Sequence, residues 1–233
     1  MTRRGEQGRA GANRFEDKYY RIKEVFLSLQ GEGVRAGTLA VFVRFSGCNL
    51  QCAKEPGPRS PGGFDCDTDF KDGTFSSAEG IVRRIERETP VRGWVVLTGG
   101  EPALQLDLPL VATLHDAGFK LAVETNGSLL LPVDCGKEGE THDRSCFPFD
   151  WITVSPKVPE LELRQKWADE VKYVRAWGQP LPVPRCEAPV KLLSPASEGL
   201  EIVPQNVAWC LHLLMQDPTW RVTVQMHKAW RLP

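Results

Sequence analysis

Cys48, Cys52 with three residues between them, and Cys66 after thirteen more intervening residues place three soft thiolates in one short stretch of chain. Iron–sulfur clusters and zinc both accept such ligands. A 4Fe-4S cluster held by three protein thiolates leaves one iron open to a small molecule, much as a catalytic zinc keeps an open position. Structural zinc normally wants a fourth Cys or His, and no near partner completes a usual zinc spacing here. The plain alternative is packing as small hydrophobes, which is the expectation for Cys186 and Cys210. Seven cysteines in 233 residues is an odd number in a chain too long to need disulfide stapling. In a reducing compartment they stay available to metal. Residues 54–63, rich in Pro and Gly, read as an excursion between Cys52 and Cys66. Such an insertion is compatible with a shared site, because closure entropy rises only logarithmically with loop length.

The elements that must position these thiols follow from periodicity. Short apolar, β-branched-rich runs at 39–46, 94–98, 119–124, 151–155, 170–174, 201–203 and 221–225 read as strands, with a further strand at 22–29. Ser76-Ser77-Ala78-Glu79 reads as a capping box before Ile81, Val82 and Ile85, while 106–117 and 207–215 read as amphipathic helices. Alternation of strand and helix predicts a parallel sheet covered by helices, either open and doubly wound or a partly closed barrel. The unusual polar sequences fall directly after strands: Gly47-Cys48, Gly99-Gly100-Glu101-Pro102, Thr125-Asn126-Gly127 and Pro156-Lys157. In a parallel α/β sheet those ends share one face, where the active site sits.

Composition sets the outer bounds. With 41% hydrophobic and 25% charged residues the chain reads as one globular domain over 18–233, with loop insertions near 54–63 and 133–148 and a flexible tail at 1–17. A net charge of −1 and a pI near 6.4 carry no polyanion signature, so small molecules are the expected partners and direct nucleic-acid binding is not. No apolar run reaches a secretory or membrane-spanning length, which leads to an expectation of a cytoplasmic protein without a membrane partner.

Phe26-Leu27-Ser28-Leu29-Gln30-Gly31-Glu32-Gly33, Phe42-Val43-Arg44-Phe45-Ser46-Gly47-Cys48-Asn49-Leu50, Cys66-Asp67-Thr68-Asp69, Thr98-Gly99-Gly100-Glu101-Pro102, Glu124-Thr125-Asn126-Gly127, Ser155-Pro156-Lys157 and the closing Gln225-x-His227-Lys228 occur in that order. Together they resemble the radical S-adenosylmethionine (SAM) superfamily, and within it the 7-carboxy-7-deazaguanine synthase family, from about Phe26 to the end of the chain. The spacing departs from the superfamily's usual three-then-two pattern, although altered spacing occurs in this family. The resemblance implies a single-domain partial (β/α)6-type barrel and a 4Fe-4S cluster on Cys48, Cys52 and Cys66. It also implies SAM held by Gly99, Gly100 and Glu101, by Ser155, Pro156 and Lys157, and by Val203, Pro204, Gln205 and Asn206, and magnesium held by Thr68. A hydroxyl supplies only one of that metal's six ligands, so substrate oxygens and water must complete the octahedron.

The implied substrate, 6-carboxy-5,6,7,8-tetrahydropterin, is flat and anionic. By resemblance Leu29, Gln30, Gly31 and Thr98 border it, Glu32 and Glu124 accept from its amino-pyrimidine edge, and Arg44 meets its carboxylate in a fork. His227 and the α-carboxylate of Pro233 would close the pocket, since the residues after Gln225 can span roughly 25 Å when extended. For Arg44 and Glu124 the plain alternative is a structural ion pair, and for the chain end a frayed tail. The implied reaction is a lyase step of queuosine biosynthesis. SAM is cleaved to a 5′-deoxyadenosyl radical, hydrogen leaves C6, the ring contracts and ammonia departs, with the cofactors rather than a side chain doing the chemistry. A flavodoxin or ferredoxin as electron donor and a homodimer are implied too. Two rivals are another radical SAM enzyme, such as a glycyl-radical activase, and a non-catalytic zinc module. Gln30-Gly31-Glu32-Gly33 and His227-Lys228 argue against the first, and colour would discriminate the second, since a zinc module is colourless whereas an iron–sulfur protein purified without oxygen is brown.

Overall fold

In this computed structural model the chain is described over residues 18–135 and 144–232. The tail at 1–17, residues 136–143 of the second insertion, and Pro233 lie outside that range. The elements run β1 (Tyr20–Leu29), β2 (Leu39–Phe45), β3 (Thr74–Ser76), α1 (Ala78–Glu88), β4 (Trp94–Gly99), α2 (Leu108–Asp116), β5 (Lys120–Thr125), β6 (Trp151–Val154), β7 (Glu170–Arg175), β8 (Val190–Pro195), β9 (Ser197–Glu198), β10 (Glu201–Ile202), α3 (Pro204–Leu214), β11 (Trp220–Val222) and α4 (Met226–Trp230). Nine strands form one sheet in the order β11-β8-β7-β6-β5-β4-β2-β1-β3. From β2 to β11 the pairing is parallel, while β1 pairs antiparallel with β2 and with β3. The architecture is thus mixed α/β with a mostly parallel sheet.

Alternation along the strands assigns the two faces. Val41, Val43 and Phe45, Val95 and Leu97, Leu121 and Val123, Ile152 and Val154, and Val171 and Tyr173 are buried in the main core with Ile81, Ile85, Leu110, Leu114, Cys210 and Leu213 of the helices. The intervening residues face the other way. There Ala40, Val96 and Ala122 form a small second cluster with Phe42, Trp94 and Trp151. One residue-pair further along, the same face turns polar at Arg44, Thr98, Glu124, Thr153, Glu170 and Lys172. Register keeps these level: Arg44 lies beside Thr98, Glu124 beside Thr153, and Thr153 beside Glu170.

Several boundaries differ from the sequence reading. The strand expected at 201–203 is only Glu201–Ile202, paired with Ser197–Glu198 in a separate ribbon. The sheet position is filled instead by β8, which runs into Pro195 and whose neighbours β7 and β11 supply its hydrogen bonds. The last strand is Trp220–Val222 rather than 221–225. Helix α1 is capped by Ser77, whose Oγ accepts from Gly80 N at 3.1 Å, one residue later than the capping-box spacing implied. Helix α2 starts after Asp107, which caps Leu110 N, and a 3-10 turn over Pro102–Leu104 precedes it. Helix α3 starts three residues earlier than expected, because Pro204 suits its first position. No α-helix lies between β6 and β8, where strand–helix alternation lapses. Among the described residues no helix is long and apolar enough to cross a membrane.

Candidate active site

At the carboxyl ends of the parallel strands the loops close on one another through backbone bonds. Gly100 N donates to Phe45 O at 3.1 Å and Glu101 N to Gly47 O at 2.9 Å, which seats the loop after β4 on the loop after β2. A Cβ at Gly100 would sit 2.0 Å from Gly47 O, and Gly99 has φ +128, so the paired glycines are what permits the approach. The excursion after Cys52 also closes on itself, since Cys66 N donates to Cys52 O at 3.2 Å. The thirteen intervening residues therefore leave Cys52 and Cys66 as neighbours.

Cys48, Cys52 and Cys66 line one cavity with Thr68, Gly99, Gly100, Asn126, Ser155, Lys157 and Lys172. Burial holds the Cys48 and Cys52 thiols above the ordinary range, so a metal or cation is what would favour their thiolates. Leu50 N, at 3.4 Å, and Asn126 Nδ2, at 4.0 Å, both point at Cys48 Sγ. Among the described residues no group of three or more His, Cys, Asp or Glu is gathered tightly enough to hold a metal ion as it stands. The donor set nevertheless fits an iron–sulfur cluster: three soft thiols around one cavity, with N–H groups directed at sulfur.

Glu101 lies behind this wall. It is fully buried and accepts from Thr125 Oγ1 at 2.7 Å, Asn126 N at 2.7 Å and Ala103 N at 3.0 Å, thereby bracing the loop after β5. Lys157 Nζ donates to Ser155 Oγ at 2.6 Å, and burial, followed by the nearby Lys172 ammonium, brings its pKa down to about 8. Pro156 faces a neighbouring groove. Val203, Pro204, Gln205 and Asn206 line neither cavity. They form the cap and first turn of α3, where Asn206 clips the chain by accepting from Trp177 N and donating to Ala196 O.

A second lobe collects Leu29, Gln30, Gly31, Glu32, Arg44, Thr98, Glu124 and His227. It shares Glu32, Asp67, Thr68, Thr98, Glu124 and Gln225 with the first. Glu124 accepts from Gln30 Nε2 at 2.8 Å and Thr98 Oγ1 at 3.3 Å. Burial would raise the Glu32 carboxyl, but the Lys172 ammonium and a 2.8 Å bond from Gln225 Nε2 hold it below the carboxylate range. Burial likewise opposes the Lys172 charge, yet Glu32, with Glu124 and Glu170 near, raises that pKa instead. Arg44 spends Nη1 on Glu24 at 2.7 Å and lies over Phe26, itself stacked on Phe42, while its Nε is buried without a partner. Pro233 lies outside the described residues. Sequence reasoning missed Lys172 as a site group and, although the closing motif included Gln225 and Lys228, gave neither a role. The available signal for Lys172 was its place two residues from Glu170 on the polar side of an otherwise apolar strand.

No family model matches the chain. Curated relatives do. The chain is 39% identical to 7-carboxy-7-deazaguanine synthase of Nitratidesulfovibrio vulgaris over 92% of its length and 99% of the relative's. It is 36% identical to the Caulobacter vibrioides protein of the same name, again over 92% and 99%. The crystal structure of QueE from Escherichia coli superposes with a TM-score of 0.59 at 26% identity, covering 90% of this chain and 95% of that one. With identity of this level over 92% of its length, the chain belongs to the 7-carboxy-7-deazaguanine synthase family.

Proposed function

We propose that this enzyme converts 6-carboxy-5,6,7,8-tetrahydropterin to 7-carboxy-7-deazaguanine with loss of ammonia, a lyase reaction of queuosine biosynthesis. The observation that carries the reading is the two-lobed cavity. Thiols and a glycine loop line one lobe, a ring of oriented acids and one Arg line the other, and six residues belong to both. A flat, anionic heterocycle in the second lobe would thus lie directly against a cofactor in the first. The reading includes a sheet curved toward a partial barrel, supported by a single cavity that takes residues from β4, β5, β6, β7 and β8.

When bound, a 4Fe-4S cluster on Cys48, Cys52 and Cys66 together with SAM supplies one-electron reductive cleavage. The chain's part is to bind, orient and exclude water. Gly99 and Gly100 bring backbone close to SAM, and Ser155 and Lys157 offer polar contacts to its charged groups. Glu124, oriented by Gln30 and Thr98, and Glu32, oriented by Lys172 and Gln225, present fixed carboxylates to the donor edge of the pterin. Arg44, which lines this lobe, supplies the positive charge that would meet the substrate carboxylate. Thr68, facing both lobes, is the magnesium ligand in this reading, with substrate oxygens completing the sphere. The test is anaerobic incubation with reductant, SAM, magnesium and the tetrahydropterin, scored for the deazaguanine product. Iron present without product would reject the substrate assignment.

A further inference from the structure

One continuous hydrogen-bonded chain crosses the rim of the cavity. It begins at Asp67, which directly follows Cys66, where Oδ2 accepts from Lys228 Nζ at 2.6 Å. The same ammonium donates to Ser197 Oγ at 2.7 Å. Ser197 Oγ lies 3.2 Å from Gln225 Oε1 and donates to it, and Gln225 Nε2 donates onward to Glu32 Oε1 at 2.8 Å. Glu32 Oε2 accepts from Lys172. The direction of donation is consistent throughout: the hydroxyl accepts once and donates once, and the amide uses its oxygen on one side and its nitrogen on the other. Lys228 is the hub and is 7% exposed, on the short helix α4. That helix is also tied to the substrate lobe by Met226 N donating to Gly31 O at 3.0 Å.

We propose that Lys228 is a positioning residue for the pterin lobe. It holds Gln225, and through Gln225 the Glu32 carboxylate, in register with the segment that carries the third cysteine. This rests on the proposed function for the identity of the ligand, while the chain of bonds is independent of it. Two walls of the cavity come from segments far apart in sequence, and no covalent link sets the distance between Glu32 and Asp67. A buried cation bonded to one wall and, through two neutral side chains, to the other sets that distance. Displacement of an orienting carboxylate by even an ångström weakens its contacts with a rigid ring.

The test uses the holoenzyme. Lys228→Met removes the ammonium and keeps the stem. Ser197→Ala interrupts the chain midway with no change of charge, leaving the Lys228–Asp67 pair intact, and so serves if the first variant folds poorly. Both are expected to keep the iron content of the parent and its kcat within about twofold. The KM and the directly titrated Kd for the tetrahydropterin should rise, by about tenfold for Lys228→Met, the effect of losing roughly one charge-assisted hydrogen bond's worth of orientation. Combined with Gln225→Leu, Lys228→Met should add little further, because both cut the same chain. A purely structural role predicts that the variants lower Tm, with the decrements adding in the double variant, while pterin affinity of the folded fraction is unchanged, and that outcome would overturn the proposal. Unchanged affinity in both variants of a product-forming enzyme would overturn Lys228's role alone. A parent enzyme that binds no pterin would overturn it together with the substrate assignment.

Discussion

Cys52 owes its place in the site to a backbone bond from Cys66, so its thiol should be as necessary as its neighbours'. Cys52→Ala should lose iron and the brown absorbance of the anaerobically purified protein, whereas Cys186→Ala and Cys210→Ala should keep both. The latter two are buried away from the cavity, with thiols pushed up to about 12 and about 11 by burial. Full iron in Cys52→Ala would refute its ligand role. Glu101 supports a different expectation. It accepts three bonds from donors that have no other acceptor in that geometry, and an amide in its place would set an NH2 group against N–H groups. Glu101→Gln should therefore cost about 1–3 kcal/mol in urea unfolding. It should also loosen Asn126 beneath Cys48, and SAM affinity measured by titration should fall with it.

At the scale of elements, the contact between the loops after β2 and β4 depends on the absence of a side chain. Gly100→Ala places a methyl carbon 2.0 Å from Gly47 O. One loop must move, so SAM binding should be lost while far-ultraviolet circular dichroism keeps its parental shape. Retained SAM affinity would show that the approach is not needed. The turn from α3 into β11 makes a pH prediction. Asp217 accepts from Thr219 Oγ1 at 2.6 Å, from Thr219 N at 2.9 Å and from Lys191 at 3.3 Å, which lowers its pKa to about 2. Because the folded value lies below the unfolded one, the stabilisation is present above about pH 4 and disappears as pH falls toward 2. The stability difference between the parent and Asp217→Asn should shrink across that window in denaturant titrations. A constant difference would remove the ionised carboxylate as its cause.

Across the whole molecule, the buried pair of Lys172 and Glu32 joins β7 to a segment 140 positions earlier. Their side chains are only 13% and 14% exposed. Lys172→Met would leave a buried carboxylate with only Gln225 to compensate it, and a loss of about 3–5 kcal/mol in unfolding free energy is expected. A loss under about 1 kcal/mol would mean that water reaches Glu32 and that the pocket is more open than described. The same pair shows why sequence reading stopped where it did. Strands 39–46, 94–98 and 170–174 were legible because alternation of apolar residues is a local property. Strand β8 was not, since Val190-Lys191-Leu192-Leu193-Ser194-Pro195 is short, mixed and closed by proline, and only β7 and β11 make it part of a sheet.

By itself, the sequence determined at which strand ends the unusual polar residues stand. Cys48, Gly99-Gly100, Asn126 and Lys157 each follow a predicted strand, and parallel pairing then obliges them to meet. Tertiary structure alone decided which polar groups face each other: Glu32 with Lys172 and Gln225, Asp67 with Lys228, and Asn206 turned into a chain clip rather than toward the cavity. The physical reason is range. Side-chain alternation and turn chemistry act over a few residues, whereas an ion pair across 140 or 161 positions exists only once the packed core has fixed the distance between its partners.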